Sequence, residues 1–167
     1  QTLKPEFVVE LGSWRGDASA HFAVGNPDGK VVAVDIHKDD DVAGLAKLNE
    51  AVERLPNMSF IRQWSWDAIN PIREMGIPIS ILFIDAWHDY KYARLEWDLY
   101  SPLLADNALI ICDDITAGYN FDGMIRFWDE LPGEKFLNGD VHKDVPMGFV
   151  KHQVDKPKRG RRAKVNQ

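Results

Sequence analysis

Short apolar runs of strand length alternate with helical segments along nearly the whole chain. The runs are continuously apolar, which is typical of strands that are covered on both faces of a sheet. Between them, residues 42–55 and 91–104 repeat apolar positions at the spacing of amphipathic helices. This alternation predicts a doubly wound α/β fold, in which ligands bind at the carboxyl ends of the strands.

The boundaries of these elements follow from the apolar runs and from the Gly and Pro residues that separate them. The predicted strands are 7–11, 30–36, 58–63, 79–85, 107–114, 135–139 and 147–153. The predicted helices are 18–25, 42–55, 67–75, 91–104 and 123–131. Because the last two strands are close together in sequence, we expect a Rossmann-like, mostly parallel sheet with an antiparallel C-terminal edge hairpin.

The 167 residues suit one domain, to which we assign residues 1–154, followed by a basic, disordered tail at 155–167. Six of the 20 basic residues lie in the last twelve positions, so the remainder carries 14 basic against 26 acidic residues. Such an acidic body argues against a nucleic-acid partner, although the tail could act as a weak phosphate-binding arm. No apolar run reaches the roughly 18–20 residues that span a membrane.

Cysteine usage and the start of the sequence bear on the compartment. Cys112 is the single cysteine and lies within the apolar run ALIIC, which predicts a buried side chain and no disulfide framework. The start QTLKPEF has no apolar stretch behind a basic one, as a signal peptide would. We therefore expect a cytoplasmic protein that does not associate with membranes.

The first predicted strand ends in a glycine-containing turn with the sequence ELGSWRGD. Gly12 and Gly16 permit a tight turn and a close approach of the backbone to a ligand, with Ser13 between them. Trp14 stands where a dinucleotide-binding fingerprint would have glycine. The acidic Glu10 suits a positively charged ligand, and S-adenosylmethionine carries both an ammonium and a sulfonium.

The next two strands also end in polar residues. Asp35 follows the second strand, about 20 residues after the turn, where an acidic side chain can accept from both ribose hydroxyls. A helix cap or an ordinary surface aspartate is the alternative role for this residue. After the third strand, the hydroxyl of Ser65 and the ring of Trp66 suit the edge and face of an adenine, although Trp64 and Trp66 could equally be core residues.

Carboxylates end the fourth and fifth predicted strands, at Asp85 and at Asp113 and Asp114. Carboxylates that share one crevice repel each other and need a cation, a proton or a hydrogen-bonding partner. These hard oxygen ligands suit Mg²⁺, Ca²⁺ or Mn²⁺. His88 lies three residues after Asp85 and could accept a proton from a substrate hydroxyl, unless it is a surface histidine.

Three segments carry a resemblance to a known family: ELGSWRG, VVAVDIH and FIDAWHDYKYARLEWDLYSPLLADNALIICDDI. They resemble the class I S-adenosylmethionine-dependent methyltransferases over residues 7 to about 152. Within that class the chain is similar to the small-molecule O-methyltransferases, which include catechol O-methyltransferase and metal-dependent sugar methyltransferases. The resemblance implies methylation of a small hydroxylated acceptor, such as a sugar or natural product, with Mg²⁺ as the expected metal.

The resemblance also implies a role for each candidate residue. The implied cofactor contacts are Glu10, Gly12, Ser13, Gly16, Asp35, Ser65, Trp66, Asp85 and Trp87. The implied metal ligands are Asp85, Asp113 and Asp114. Asp85 and His88 are the implied catalytic residues, and His88 would complete deprotonation of the acceptor hydroxyl. The catechol enzymes have Asp-Asn where this chain has Asp113-Asp114, which favours a site of the sugar type.

The family carries helices before its first strand that close over the site, whereas the first strand here begins near residue 7. Either the lid is missing, or cover comes from a second chain in a homo-oligomer or from the loop 115–122, whose Tyr119 and Phe121 would contact the acceptor. Two other functions stay open at this point. One is a non-catalytic module that binds the cofactor, and the other is a nicotinamide-dependent oxidoreductase.

Overall fold

The computed structural model describes residues 4–38, 40–115, 122–137 and 147–152. Its strands are β1 (Phe7–Leu11), β2 (Lys30–Asp35), β3 (Met58–Arg62), β4 (Ile79–Ile84), β5 (Leu104–Cys112), β6 (Glu134–Leu137) and β7 (Gly148–Lys151). Its α-helices are α1 (Asp17–Gly25), α2 (Val42–Arg54), α3 (Ile69–Glu74), α4 (Tyr90–Tyr100) and α5 (Asp122–Glu130).

The strands form one sheet in the order β3-β2-β1-β4-β5-β7-β6. The pairs from β3 through β5 are parallel, whereas β7 runs antiparallel to both β5 and β6. The predicted Rossmann-like sheet and its antiparallel C-terminal hairpin are therefore confirmed. The strand order reverses between β1 and β4, and such a reversal opens a crevice for a ligand at the carboxyl ends of the strands.

Two hydrophobic clusters cover the two faces of the sheet. Val9 and Leu11 of β1 belong to the larger cluster, which includes residues of α3, α4 and α5. Val8 points to the opposite face and packs in the cluster that includes residues of α1 and α2. Successive side chains of a strand alternate between faces, so Glu10 shares the face of Val8. Cys112 is buried as predicted, and burial raises the pKa of its thiol to about 12.

The segment between α4 and β5 departs from the prediction. The predicted helix over 91–104 ends at Tyr100 and continues as a 3₁₀ turn, Ser101–Leu103, because Pro102 has no backbone N–H to donate. The predicted strand over 107–114 begins earlier, at Leu104, which pairs with Ile79. Sequence patterning missed these residues because the register shifts there and Asn107 adopts a left-handed φ of 63°.

Candidate functional site

A cavity of about 420 Å³ opens at the carboxyl ends of the strands on both sides of the reversal point. Its size falls in the range of roughly 300–1,000 Å³ that is typical of small-molecule sites. The lining includes residues that follow β1, β2, β3 and β4: Gly12, Trp14, Asp35, His37, Lys38, Asp40, Asp41, Trp64, Ser65, Asp85 and Trp87. The cavity thus lies at the position that the sequence predicted for a ligand.

The glycine turn after β1 is held between the two neighbouring strands. The backbone N–H groups of Gly12 and Ser13 donate to the carbonyl of Val34 at 2.8 and 3.1 Å. Gly12 has a φ of 89°, and a Cβ there would overlap the carbonyl oxygen of Asp85. A side chain at position 12 would therefore separate the turn from β4, and only glycine lets the cavity form between them.

Asp35 organises the wall of the cavity that follows β2. One carboxylate oxygen accepts from the backbone N–H of Trp14 at 2.8 Å, and the other accepts from that of His37 at 2.6 Å. Each carboxylate oxygen has a second lone pair, so both can still accept from a ligand hydroxyl. The structure assigns Asp35 this bridging role within the protein, which the sequence did not predict.

Glu10 is buried and is not among the residues that line the cavity. The Ser19 hydroxyl of α1 donates to its carboxylate. Burial raises the pKa of Glu10 to about 7, and the nearby charge of Asp85 adds to the shift. Of the other residues predicted to contact the cofactor, Ser13, Gly16 and Trp66 do not line the cavity, whereas Gly12, Asp35, Ser65, Asp85 and Trp87 do.

Four aromatic rings, which we call the aromatic cluster, pack together beside the cavity: Trp64, Trp66, Trp87 and Tyr92. Trp66 stacks between Trp64 and Tyr92, with centroid distances of 5.0 and 5.4 Å. Trp87 closes the cluster at 6.1 Å from Trp64 and 5.3 Å from Tyr92. The rings that face the cavity are those of Trp64 and Trp87. Trp66 packs against Trp64 and is not among the residues that line the cavity.

Ser65 forms two hydrogen bonds with side chains of α4. Its hydroxyl donates to a carboxylate oxygen of Glu96, and its carbonyl accepts from the hydroxyl of Tyr100 at 2.6 Å. Glu96 is fully buried, and its second oxygen, Oε2, has no partner among the described residues. Burial raises the pKa of this carboxyl to about 7. Sequence analysis missed Glu96, although its place on the apolar face of α4, beside Ala93, was a usable signal.

Replacing Glu96 with Gln should remove one source of pH-dependent stability. The folded pKa near 7 exceeds the ordinary value of 4.5, so the free energy of unfolding falls as the pH rises between these values. The shift corresponds to ~3 kcal/mol. Gln has no such proton to lose and still accepts from Ser65. Urea unfolding should therefore show Glu96→Gln gaining roughly 2–3 kcal/mol relative to the wild type between pH 5 and pH 8.

The matched control for this prediction is Glu50→Gln. Glu50 lies on the surface of α2 and pairs with Arg54 at 2.7 Å. Its carboxylate stays solvated, so the stability of this variant should track that of the wild type at both pH values. A difference between Glu96→Gln and the wild type that is the same at pH 5 and pH 8 would contradict the account of Glu96.

A cluster of acidic residues and one histidine borders the cavity beyond Asp85. Asp85, His88 and Asp113 each offer a ligand atom, and these atoms all lie within 4.8 Å of one another. His88 Nε2 lies 3.4 Å from Asp85 Oδ1, and His88 Nδ1 lies 3.4 Å from Asp114 Oδ2. The structure thus brings together the side chains predicted from two strand ends. Asp114, however, contacts the imidazole and is not a member of the three-residue group.

The pKa values in this cluster reflect burial and mutual repulsion. Burial and the charge of Asp113 raise the pKa of Asp85 to about 7. The hydrogen bond with Asp85 and the charge of Asp114 raise the pKa of His88 above its ordinary value. Asp113 Oδ1 is buried and has no partner among the described residues. An arrangement with two close carboxylates and one orphaned oxygen suits a bound cation.

The remaining predictions about the site lie outside the described residues. Tyr119 and Phe121 belong to residues 116–121, which the structure does not describe. The tail at 155–167 is also outside the described residues. Within the described part of the chain, no helix is both long and apolar enough to cross a bilayer.

Comparison with known sequences identifies the family. Residues 9–115 match the family described as a methyltransferase domain, and the chain belongs to this family. The match spans β1 to the end of β5 and so includes the glycine turn, Asp35, Asp85 and Asp113. With the fold, it confirms the resemblance to class I methyltransferases.

Individual proteins are similar to this chain in sequence or in fold. A tRNA (guanine-N(7)-)-methyltransferase of Streptomyces coelicolor is 26% identical over 90% of this chain, which spans 66% of that relative, just under two thirds. Cofactor-bound Rv0187 from MTB has a TM-score of 0.69 and 17% identity. The match covers 90% of this chain and 75% of the Rv0187 chain. The O-methyltransferase from Bacillus cereus in complex with SAH has a TM-score of 0.66 and 16% identity. The match covers 89% of this chain and 75% of the Bacillus cereus chain.

Proposed function

We propose that this chain is an S-adenosylmethionine-dependent methyltransferase that methylates an oxygen of a small hydroxylated acceptor, such as a sugar or natural product, with the help of a divalent metal. The position of Asp85 is the observation that carries the proposal. Asp85 lines the ligand cavity and also belongs to the group formed with His88 and Asp113. In this proposal, Asp85 joins the cofactor site to the site for proton transfer and metal binding.

The cavity fits S-adenosylmethionine in size and in charge. Four carboxylates line it, at Asp35, Asp40, Asp41 and Asp85, together with tryptophan rings. Carboxylates and aromatic rings both attract the ammonium and sulfonium of this cofactor. S-adenosylmethionine supplies an electrophilic methyl group, so the chain mainly has to position the acceptor.

The acidic cluster fits a divalent metal. Asp113 Oδ1 is a buried oxygen without a partner among the described residues, and it lies beside the carboxylate of Asp85. We propose that Asp85 and Asp113 hold the ion, with Asp114 from the same strand end as the third ligand. A divalent ion at this position would lower the pKa of a coordinated hydroxyl and orient it.

We assign His88 as the group that accepts the proton of the acceptor hydroxyl. Asp85 and Asp114 flank its two ring nitrogens, each at 3.4 Å. Both carboxylates stabilise the protonated ring, so the imidazole is a stronger base than a free histidine. The deprotonated oxygen is then the nucleophile for the methyl group.

A nucleic acid is the second candidate acceptor, and one observation favours it: the relative that is 26% identical is named as a tRNA methyltransferase. The charge of the chain favours a small molecule instead. Outside the last twelve residues, 26 acidic residues outnumber 14 basic ones, and such a surface repels phosphates. Radiolabelled methyl transfer to unmodified tRNA and to a panel of sugars and phenols would separate the two acceptors.

Calorimetric titration with S-adenosylhomocysteine tests the cofactor assignment. The wild-type protein should bind it, and Asp35→Ala should weaken binding about tenfold or more, because it removes the acceptor that bridges Trp14 and His37. The matched control is Asp98→Asn on α4, which pairs with Arg94 away from the cavity. Tight binding of NAD with no binding of S-adenosylhomocysteine would instead support an oxidoreductase.

A further inference from the structure

Trp14 is an unusual residue for the wall of a cavity. It has a left-handed φ of 42°, which is rare for a bulky side chain, and 58% of its surface is exposed. Exposed aromatic surface beside a cavity is typical of a residue that a ligand covers. Nothing in the sequence pattern assigned Trp14 a role in binding.

Three polar groups of Trp14 are fixed to the segment that follows β2. Its backbone N–H donates to Asp35, and its carbonyl accepts from His37 Nε2 at 3.0 Å. Its indole Nε1–H donates to Asp41 Oδ2 at 2.8 Å. These three hydrogen bonds hold the Trp14 backbone in its strained conformation and fix the position of the indole ring. Backbone strain that neighbouring groups maintain in this way is concentrated at functional sites.

Asp41 is itself fixed in place, because it caps α2. Its Oδ1 accepts from the backbone N–H of Gly44 at 2.9 Å, and its Oδ2 holds the indole of Trp14. A Cβ at Gly44 would overlap this carboxylate, so the glycine leaves room for it. These two hydrogen bonds also hold the pKa of Asp41 below its usual value.

We propose that the hydrogen bond between Trp14 and Asp41, which we call the Trp14–Asp41 clasp, closes one side of the cavity mouth and slows the release of the S-adenosyl ligand. Both side chains line the cavity, one from the β1–α1 turn and the other from the start of α2. Opening that side requires the side-chain bond to break. This inference rests on the proposed function, since the ligand it concerns is the cofactor.

Two substitutions open the clasp, and Trp14→Phe does so with all four cavity carboxylates kept, whereas Asp41→Asn also removes one of them. Asp41→Asn keeps an oxygen that can cap α2, since Asn and Asp cap helices about equally well, but its amide nitrogen cannot accept from the indole. Trp14→Phe keeps an aromatic ring and the backbone bonds but lacks the indole N–H. Glu50→Gln, which removes a carboxylate from the exposed surface of the same helix, is the matched control.

The measurement is the release rate of S-adenosylhomocysteine by surface plasmon resonance at pH 8. Both clasp variants should release the ligand about tenfold faster than the wild type, and the double variant no faster than Asp41→Asn alone. Glu50→Gln should match the wild type. Unchanged release, or effects that multiply in the double variant, would overturn the clasp alone. Failure of the wild type to bind the ligand would overturn the proposed function and the clasp with it.

Discussion

Asp85→Asn should lower kcat/KM at least ~10³-fold, because it damages both halves of the site at once. The substitution keeps the size of the side chain and removes its charge. The cavity then loses one of its carboxylates, and Asp113 loses its proposed partner in holding a metal. His88 also loses the carboxylate that most strongly favours its protonated form.

The prediction for Asp85→Asn has readouts that do not depend on knowing the acceptor. Titration with Mn²⁺ should show binding to the wild type and at least about tenfold weaker binding to the variant. Asp89→Asn is a useful comparison, because Asp89 lies four residues away and caps α4, where Asn can replace it. An Asp85→Asn protein that bound Mn²⁺ and transferred methyl groups like the wild type would refute the shared role of Asp85.

His88→Gln should lower kcat by ~10²–10⁴-fold, the range typical for the loss of a general base. His88 does not line the cavity, so the affinity for S-adenosylhomocysteine should stay the same. Because we assign the metal to Asp85, Asp113 and Asp114, the affinity for Mn²⁺ should also change little.

The rate and the two affinities should be measured on the same preparation of His88→Gln. A variant that lost Mn²⁺ binding in parallel with activity would show that His88 is a metal ligand, as its place in the group with Asp85 and Asp113 also allows. A fully active variant would remove His88 from the mechanism. Gln at position 88 keeps a polar side chain, which limits the disturbance to the neighbouring Asp114.

The fold was largely predictable because buried parallel strands leave a strong sequence pattern. ISILFI is interrupted only by Ser80 and FVVEL only by Glu10, and the structure places both at the centre of the sheet as β4 and β1. The start of β5 was not predictable from such a pattern. Its first residues, LADN, lack an apolar run, and Leu104 belongs to the strand only because it pairs with Ile79.

The site was predictable where a residue ends a strand, because the sheet brings those ends together. Asp35, Asp85 and Asp113 lie at the expected edge for this reason. Side-chain partners within the site were not predictable. Nothing local indicates that Glu10 turns toward Ser19, or that the hydroxyl of Ser65 points to Glu96, 31 positions along the chain.

The most direct test of the central claim is a crystal structure of the protein with S-adenosylhomocysteine and Mn²⁺. We predict the ligand in the cavity of about 420 Å³, against Asp35, and one ion bonded to the carboxylates of Asp85 and Asp113. Anomalous scattering would identify the Mn²⁺. A ligand bound elsewhere, or a cavity filled by the ligand with no ion at these carboxylates, would contradict a metal-assisted methyltransferase site.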